Sequence, residues 1–137
     1  MPLTVTPDPT LRGEALYRAA LKHIARHPDA WDQYVYRVEK ESGVAMCLAG
    51  WAATLAGGTW ADLDFYGRVW LHAEPEDDPH DIAEAGDLRL VNVHERARRL
   101  LGLTATQAEQ AFSGWNTWED LAHLADAYYG PSRTARD

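Results

Sequence analysis

Cysteine is nearly missing from this sequence: Cys47 is the only one in 137 residues. An intramolecular disulfide is therefore excluded, which fits a reducing compartment such as the cytoplasm. One cysteine and six scattered histidines also lack the ligand spacing of a zinc site, so no metal is expected. Lysine is scarce too, with Lys22 and Lys40 alone, and 13 basic residues face 21 acidic ones for a net charge of −8. That balance repels nucleic-acid phosphates and anionic membranes at long range, so no direct nucleic-acid or membrane partner is expected. No apolar run is long enough to span a bilayer. The uncharged stretch from Ser42 to Ala61 comes nearest, but its glycines cut the helical part to about 12 residues, against the roughly 20 that a bilayer needs. The first nine residues have no basic region followed by an apolar one, so they do not read as a secretory signal. A glycine-rich phosphate loop is absent, since Gly57-Gly58 follows a helical stretch where such a loop would precede one. Ser42 and Ser113 lack the Gly-x-Ser-x-Gly elbow of a serine nucleophile.

What is present reads as one globular domain over residues 1–137. Hydrophobic content of 46% and charged content of 25% are ordinary for a folded chain. Six tryptophans against two phenylalanines imply a small core filled by large rings. Residues 1–9 and 132–137 are expected to be flexible ends. Thr10 is placed to cap a first helix, in which Leu11, Ala15, Leu16, Ala19, Ala20 and Ile24 share one face and which stops near His27, before Pro28. His23 and His27 lie at i, i+4, but Ile24 stands where the metalloprotease pattern His-Glu-x-x-His needs glutamate; the pair suits the helix C-terminal dipole. Alternation of Tyr34, Tyr36 and Val38 predicts a short strand, and Glu39 to Gly43 a polar turn.

The stretch over residues 44–56 is the predicted central helix. Leu48, Trp51, Ala52 and Leu55 form one apolar stripe, and Ala49, Ala53 and Gly57 a small-residue ridge suited to close approach of another backbone. Phe65 to His72 and Leu88 to Val93 are candidate strands that would pair as a hairpin across an acidic loop, residues 73–87. That loop holds seven Asp or Glu and no Lys or Arg. It lacks the glycine-centred spacing of an EF-hand and reads as solvated, with a phosphate-like, DNA-mimicking string as the sharper alternative. Arg89, Arg96, Arg98 and Arg99 either pair with these acids or form a basic patch. Asn92-x-x-Glu95, Thr104-x-x-Gln107 and Asn116-x-x-Glu119 are capping signals for three further helices ending near Gly102, Gly114 and Gly130. The fold class expected is thus α+β and mostly helical: about five helices around the central one, with a small two- or three-stranded antiparallel sheet.

Cys47 is the one nucleophile candidate. At a helix start, the dipole and free N–H groups would favour its thiolate, with His94 or His72 as the base. Cys47-Leu-Ala-Gly-Trp-Ala52 loosely resembles the nucleophile helix of papain-like cysteine proteases. The Trp-Ala is displaced by three residues, however, and no glutamine lies at the short upstream spacing used for the oxyanion site. A buried structural cysteine is the plainer reading.

Four short patterns taken together resemble a group of small actinobacterial and phage proteins. They are His27-Pro-Asp-Ala-Trp31, Cys47-Leu-Ala-Gly-Trp-Ala52, Leu100-Leu-Gly-Leu-Thr104, and Phe112 with Asn116-Thr117. The resemblance covers residues 14–128 and carries no activity with it, so no catalytic residue follows from it. With no complete catalytic constellation, the leading expectation is a non-enzymatic cytoplasmic accessory protein of phage or actinobacterial origin that binds a protein partner and needs no cofactor. Trp70, Trp115, Trp118, Asp77 and Asp78 are its candidate binding residues. The alternative expectation is a cysteine-dependent hydrolase or transferase built on Cys47 with His94 or His72.

Overall fold

Helical periodicity places the first helix correctly. In the computed structural model, which describes residues 6–61 and 69–131, α1 spans Gly13–Arg26 and buries Leu16, Tyr17, Ala20, Leu21 and Ile24. The buried face is rotated from the expected one, for Ala15 is exposed and Tyr17 lies inside. The Tyr17 hydroxyl is satisfied there by donating to the Leu121 carbonyl at 2.8 Å. Thr10 does not cap this helix. It bonds instead to the Asp8 carboxylate, and Arg12 occupies the cap position without a side-chain bond. Nor are residues 8 and 9 loose: the Asp8 N–H donates to the Leu55 carbonyl at 2.7 Å, and Pro9 lies against Gly57. The helix stops as Pro28 requires and passes into a 3-10 turn, Pro28–Ala30.

A two-stranded hairpin follows, formed by β1 (Val38–Lys40) and β2 (Gly43–Ala45) in antiparallel register Val38↔Ala45. The strand expected from Tyr34 to Val38 is therefore displaced. Tyr34 sits in a turn held by the Asp32 carboxylate, which accepts from the Tyr34 N–H at 3.1 Å, and its ring points to solvent. Helix α2, Leu48–Leu55, starts later than the expected residue 44 because 43–45 are committed to β1. Met46 is likewise held, donating its N–H to the Ala30 carbonyl and accepting from Asp32. Seven of the eight α2 residues are buried. The close approach sits at Gly50, the residue after Ala49 and so just off the expected Ala49, Ala53 and Gly57 ridge. A Cβ at Gly50 would overlap the Tyr36 carbonyl oxygen and come within 2.8 Å of Met46 Cβ. Gly57, at φ +87, releases the chain from the helix.

The second sheet has the order β3-β5-β4, all antiparallel, from β3 (Trp70–His72), β4 (Ile82–Ala85) and β5 (Leu88–Asn92). β3 pairs with β5 as expected (Leu71↔Val91), residues 65–68 of the anticipated strand lying outside the described part. The intervening segment is not the open loop read from its acidity. It contains a 3-10 turn, Pro79–Asp81, and then β4, which joins β5 through a two-residue turn with Gly86 at φ +62. Ala53 of α2 packs on this sheet with Leu71, Val91 and Val93.

Three capped helices complete the fold. α3 (Val93–Leu101) opens on Asn92, whose side chain accepts from the His94 N–H, and closes at Gly102 in the left-handed region. Only half of the anticipated box forms, because Glu95 pairs with Arg98. α4 (Ala105–Ala111) has both arms of the Thr104/Gln107 box. α5 (Trp118–Tyr129) is capped one residue later than expected, by Thr117 with Asp120. Asn116 instead donates to the carbonyls of Gln110, Ala111 and Ser113, closing the end of α4. The main core draws on all five helices and includes Leu16, Leu48, Trp51, Leu101, Ala108 and Leu121, so the α+β, mostly helical class holds. Among the described residues no helix is long and apolar enough to cross a membrane.

Candidate functional site

Cys47 does occupy the cap position of α2, as its place in the sequence implied. Its chemistry goes the other way. The residue is 1% exposed, and burial pushes the thiol up to about 11, overriding the Gly50 and Ala49 amides that pull it down. Neither proposed base serves it. His94 Nδ1 lies 3.1 Å from the Tyr36 hydroxyl and its ring meets Phe112 edge-on, while His72 sits in β3 with its carbonyl accepting from Arg96. A cavity of about 130 Å³ touches Cys47, bounded also by Gln33, Tyr34, Tyr36 and Phe112. It brings no base to the sulfur. Cys47 is thus buried, as the plainer reading of it expected, and desolvation outweighs the helix N-terminal amides here.

The other histidine pair is stacked at the end of α1. His23 packs between the Trp51 ring (4.2 Å between centroids) and His27 (4.7 Å), and burial together with His27 holds its pKa below the ordinary 6.5. Among the described residues no three His, Cys, Asp or Glu side chains converge to hold a metal.

The acidic segment divides. Asp77, expected at the surface, is 5% exposed and forms a two-pronged pair with Arg96, at 2.9 Å to Nε and 2.6 Å to Nη2. Arg96 is itself 1% exposed. Its Nη2 also donates to the His72 carbonyl, and its Nη1 lies 2.9 Å from Glu74 Oε1, a charge contact at an angle too poor for a hydrogen bond. Arg99 adds a second cation on Asp77 at 3.0 Å, and reaches Glu76 at 3.4 Å. Burial raises the Asp77 carboxyl, but Arg96, the Glu74 amide and Arg99 prevail and hold it below the ordinary 3.8. The three acids are thus counter-charges to α3, which is the pairing alternative weighed for these arginines. Asp78 caps the following 3-10 turn, accepting from the His80 N–H. Asp77 is buried in its ion pair, Asp78 is exposed at its cap, and Trp70 is half-buried within β3.

The remaining candidates, Trp115 and Trp118, meet at a groove of about 490 Å³ between residues 31–34 and 114–119, with Lys40 at its edge. Trp118 is anchored, its Nε1 donating to the Leu21 carbonyl at 3.0 Å. Trp31 is anchored by Gln33 at 2.9 Å. Gln33 is the keystone beneath: its Oε1 also accepts from the Leu48 N–H, and its Nε2 donates to the carbonyls of Ala111 and Ser113. One buried amide therefore ties the 31–34 turn, the start of α2 and the end of α4 together. Above it stand Tyr34, 75% exposed, and Trp115, 84% exposed, the two exposed large hydrophobic residues of the described structure. Gly114, next to Trp115, lets the chain lie against Tyr34, because a Cβ there would sit 2.9 Å from Tyr34 Cδ1. Sequence reasoning found Trp115 and Trp118 but missed Trp31, Tyr34 and Lys40. Trp115 and Tyr34 are about 80 positions apart, and only the glycine before Trp115 hinted at a close neighbour.

No protein-family model, curated protein or solved structure matches the chain.

Proposed function

We propose that this chain is a non-enzymatic, cytoplasmic accessory protein of phage or actinobacterial origin that holds a protein partner in the groove between residues 31–34 and 114–119. The observation that carries this reading is that Tyr34 and Trp115, the exposed large hydrophobic residues of the described structure, line one groove. Scattered exposed apolar residues are ordinary. Two large rings lining one groove, above a fully bonded Gln33, are not, because burying such a ring stabilises by about 1.5–3 kcal/mol and neither ring contributes that here. Tryptophan and tyrosine are also the residues that dominate the energetics of protein interfaces. The burial and raised pKa of Cys47 favour this reading over cysteine chemistry. The origin rests on the sequence resemblance alone.

The test is a photo-activatable residue placed at position 115, with a control at the exposed Glu109. In a lysate of the source cells, position 115 should cross-link a discrete protein that position 109 does not. Equal or absent cross-linking at the two positions would remove the groove from consideration.

A further inference from the structure

We infer that the segment held in this groove is a proline-rich stretch carrying a basic residue, an inference that rests on the groove being the binding site. The hydrogen-bonding groups left free there are the reason. The two amides lining the groove are engaged within the chain: Gln33 on Trp31, Leu48, Ala111 and Ser113, and the Asn116 NH2 on Gln110, Ala111 and Ser113. The indole N–H groups of Trp31 and Trp118 are engaged as well. Two ring donors remain without a partner among the described residues, the Tyr34 hydroxyl and the Trp115 indole N–H, and Lys40 lines the same groove.

A polyproline stretch matches that set. It offers carbonyl acceptors and no N–H of its own, and it is already extended before it binds, so little ordering entropy opposes docking. Its rings pack on aromatic faces, the recognition mode of aromatic-lined peptide grooves in general. A sugar would call on the side-chain amides, which are occupied. A nucleic-acid base would stack equally well, but its phosphates would meet Asp32 and Glu119 at the groove and a net charge of −8. Those two carboxylates, against the single ammonium of Lys40, favour a basic residue next to the prolines.

The test is a titration of the full chain followed by the Trp115 indole N–H signal in two-dimensional NMR. The probes are decaproline ending in Arg-Arg, decaproline ending in Glu-Glu, and a Gly-Ser peptide of the same length ending in Arg-Arg. The expected result is saturable movement of the Trp115 signal with the first peptide, and affinity about tenfold weaker for each of the other two. Trp115→Ala, followed through the Trp118 indole signal, should lose about tenfold or more. Gly114→Ala, which forces the Tyr34 ring aside, should weaken binding while leaving the melting temperature close to that of the parent. Equal binding of the Gly-Ser peptide would show charge attraction alone and overturn the inference. So would self-association of the chain that Trp115→Ala abolishes, since the occupant would then be a second copy. If decaproline fails while position 115 still cross-links a partner, the ligand class is wrong and the groove stands. If both fail, the groove itself is wrong.

Discussion

Arg96 and Trp115 sit at opposite extremes, a guanidinium 1% exposed and an indole 84% exposed. Around Arg96 the chain supplies what the charge needs, with Asp77, Glu74 and the His72 carbonyl all in contact. Around Trp115 the polar groups beneath are also closed, through Gln33, yet the rings above them are left open. The difference separates two uses of unusual side-chain placement. A buried charge paired with Asp77 and Glu74 fixes how β3, the acidic segment and α3 sit together. Exposed rings without partners fix nothing in the fold and are available for contact.

The sharpest way to break this contrast is to remove the counter-charge. Asp77→Ala leaves Arg96 buried beside Glu74 alone, and the loss should be about 3–5 kcal/mol in urea unfolding. Pairing Asp77→Leu with Arg96→Met should recover much of it, because two apolar side chains need no solvation. The same site sets a pH dependence. The Asp77 carboxyl is held below 3.8 in the folded chain, so its contribution is complete above that pH and is lost as pH falls through the lower folded value. Unfolding curves of Asp77→Asn should accordingly be flatter on the acid side than those of the parent.

A smaller effect is expected at Gly50, where the added methyl of Gly50→Ala meets the Tyr36 carbonyl and Met46. Overpacking of this kind costs about 1–3 kcal/mol, measurable as a lower urea midpoint. The smallest effect is expected at the groove. Trp115→Ala should change stability by no more than about 0.5 kcal/mol, since the ring is already in water. A loss as large as that of Gly50→Ala would place the ring among the stabilising contacts and dissolve the contrast.

Local signals in the sequence read well because their causes are local. The caps at Thr104 and Gly102, and the stop before Pro28, depend on a few neighbouring residues, and the structure has them where the sequence puts them. Asn116 and Thr117 are adjacent capping residues, and sequence alone could not tell that the first closes α4 and the second opens α5. The apolar character of residues 44–56 correctly implied a buried centre, and the same burial raises the pKa of Cys47. The acidic segment was misread because charge in sequence stands for exposure only on average. Asp77 is buried by Arg96, which lies 19 positions later on another element. β4 was hidden for a related reason: Ile82-Ala-Glu-Ala85 has little strand character of its own and is held as a strand by β5 and the Gly86 turn. The groove was half legible, since one wall carries its tryptophans in sequence and the other is brought there by Gln33.

The central claim is that Tyr34 and Trp115 serve contact and not folding. Its most direct test is partner capture by the Tyr34→Ala/Trp115→Ala double variant, cross-linked from position 118 of the same groove and compared with the parent carrying the same label. The account predicts that the variant, folded at the same temperature, loses the partner band. A variant that keeps the band at the parent's yield would contradict it.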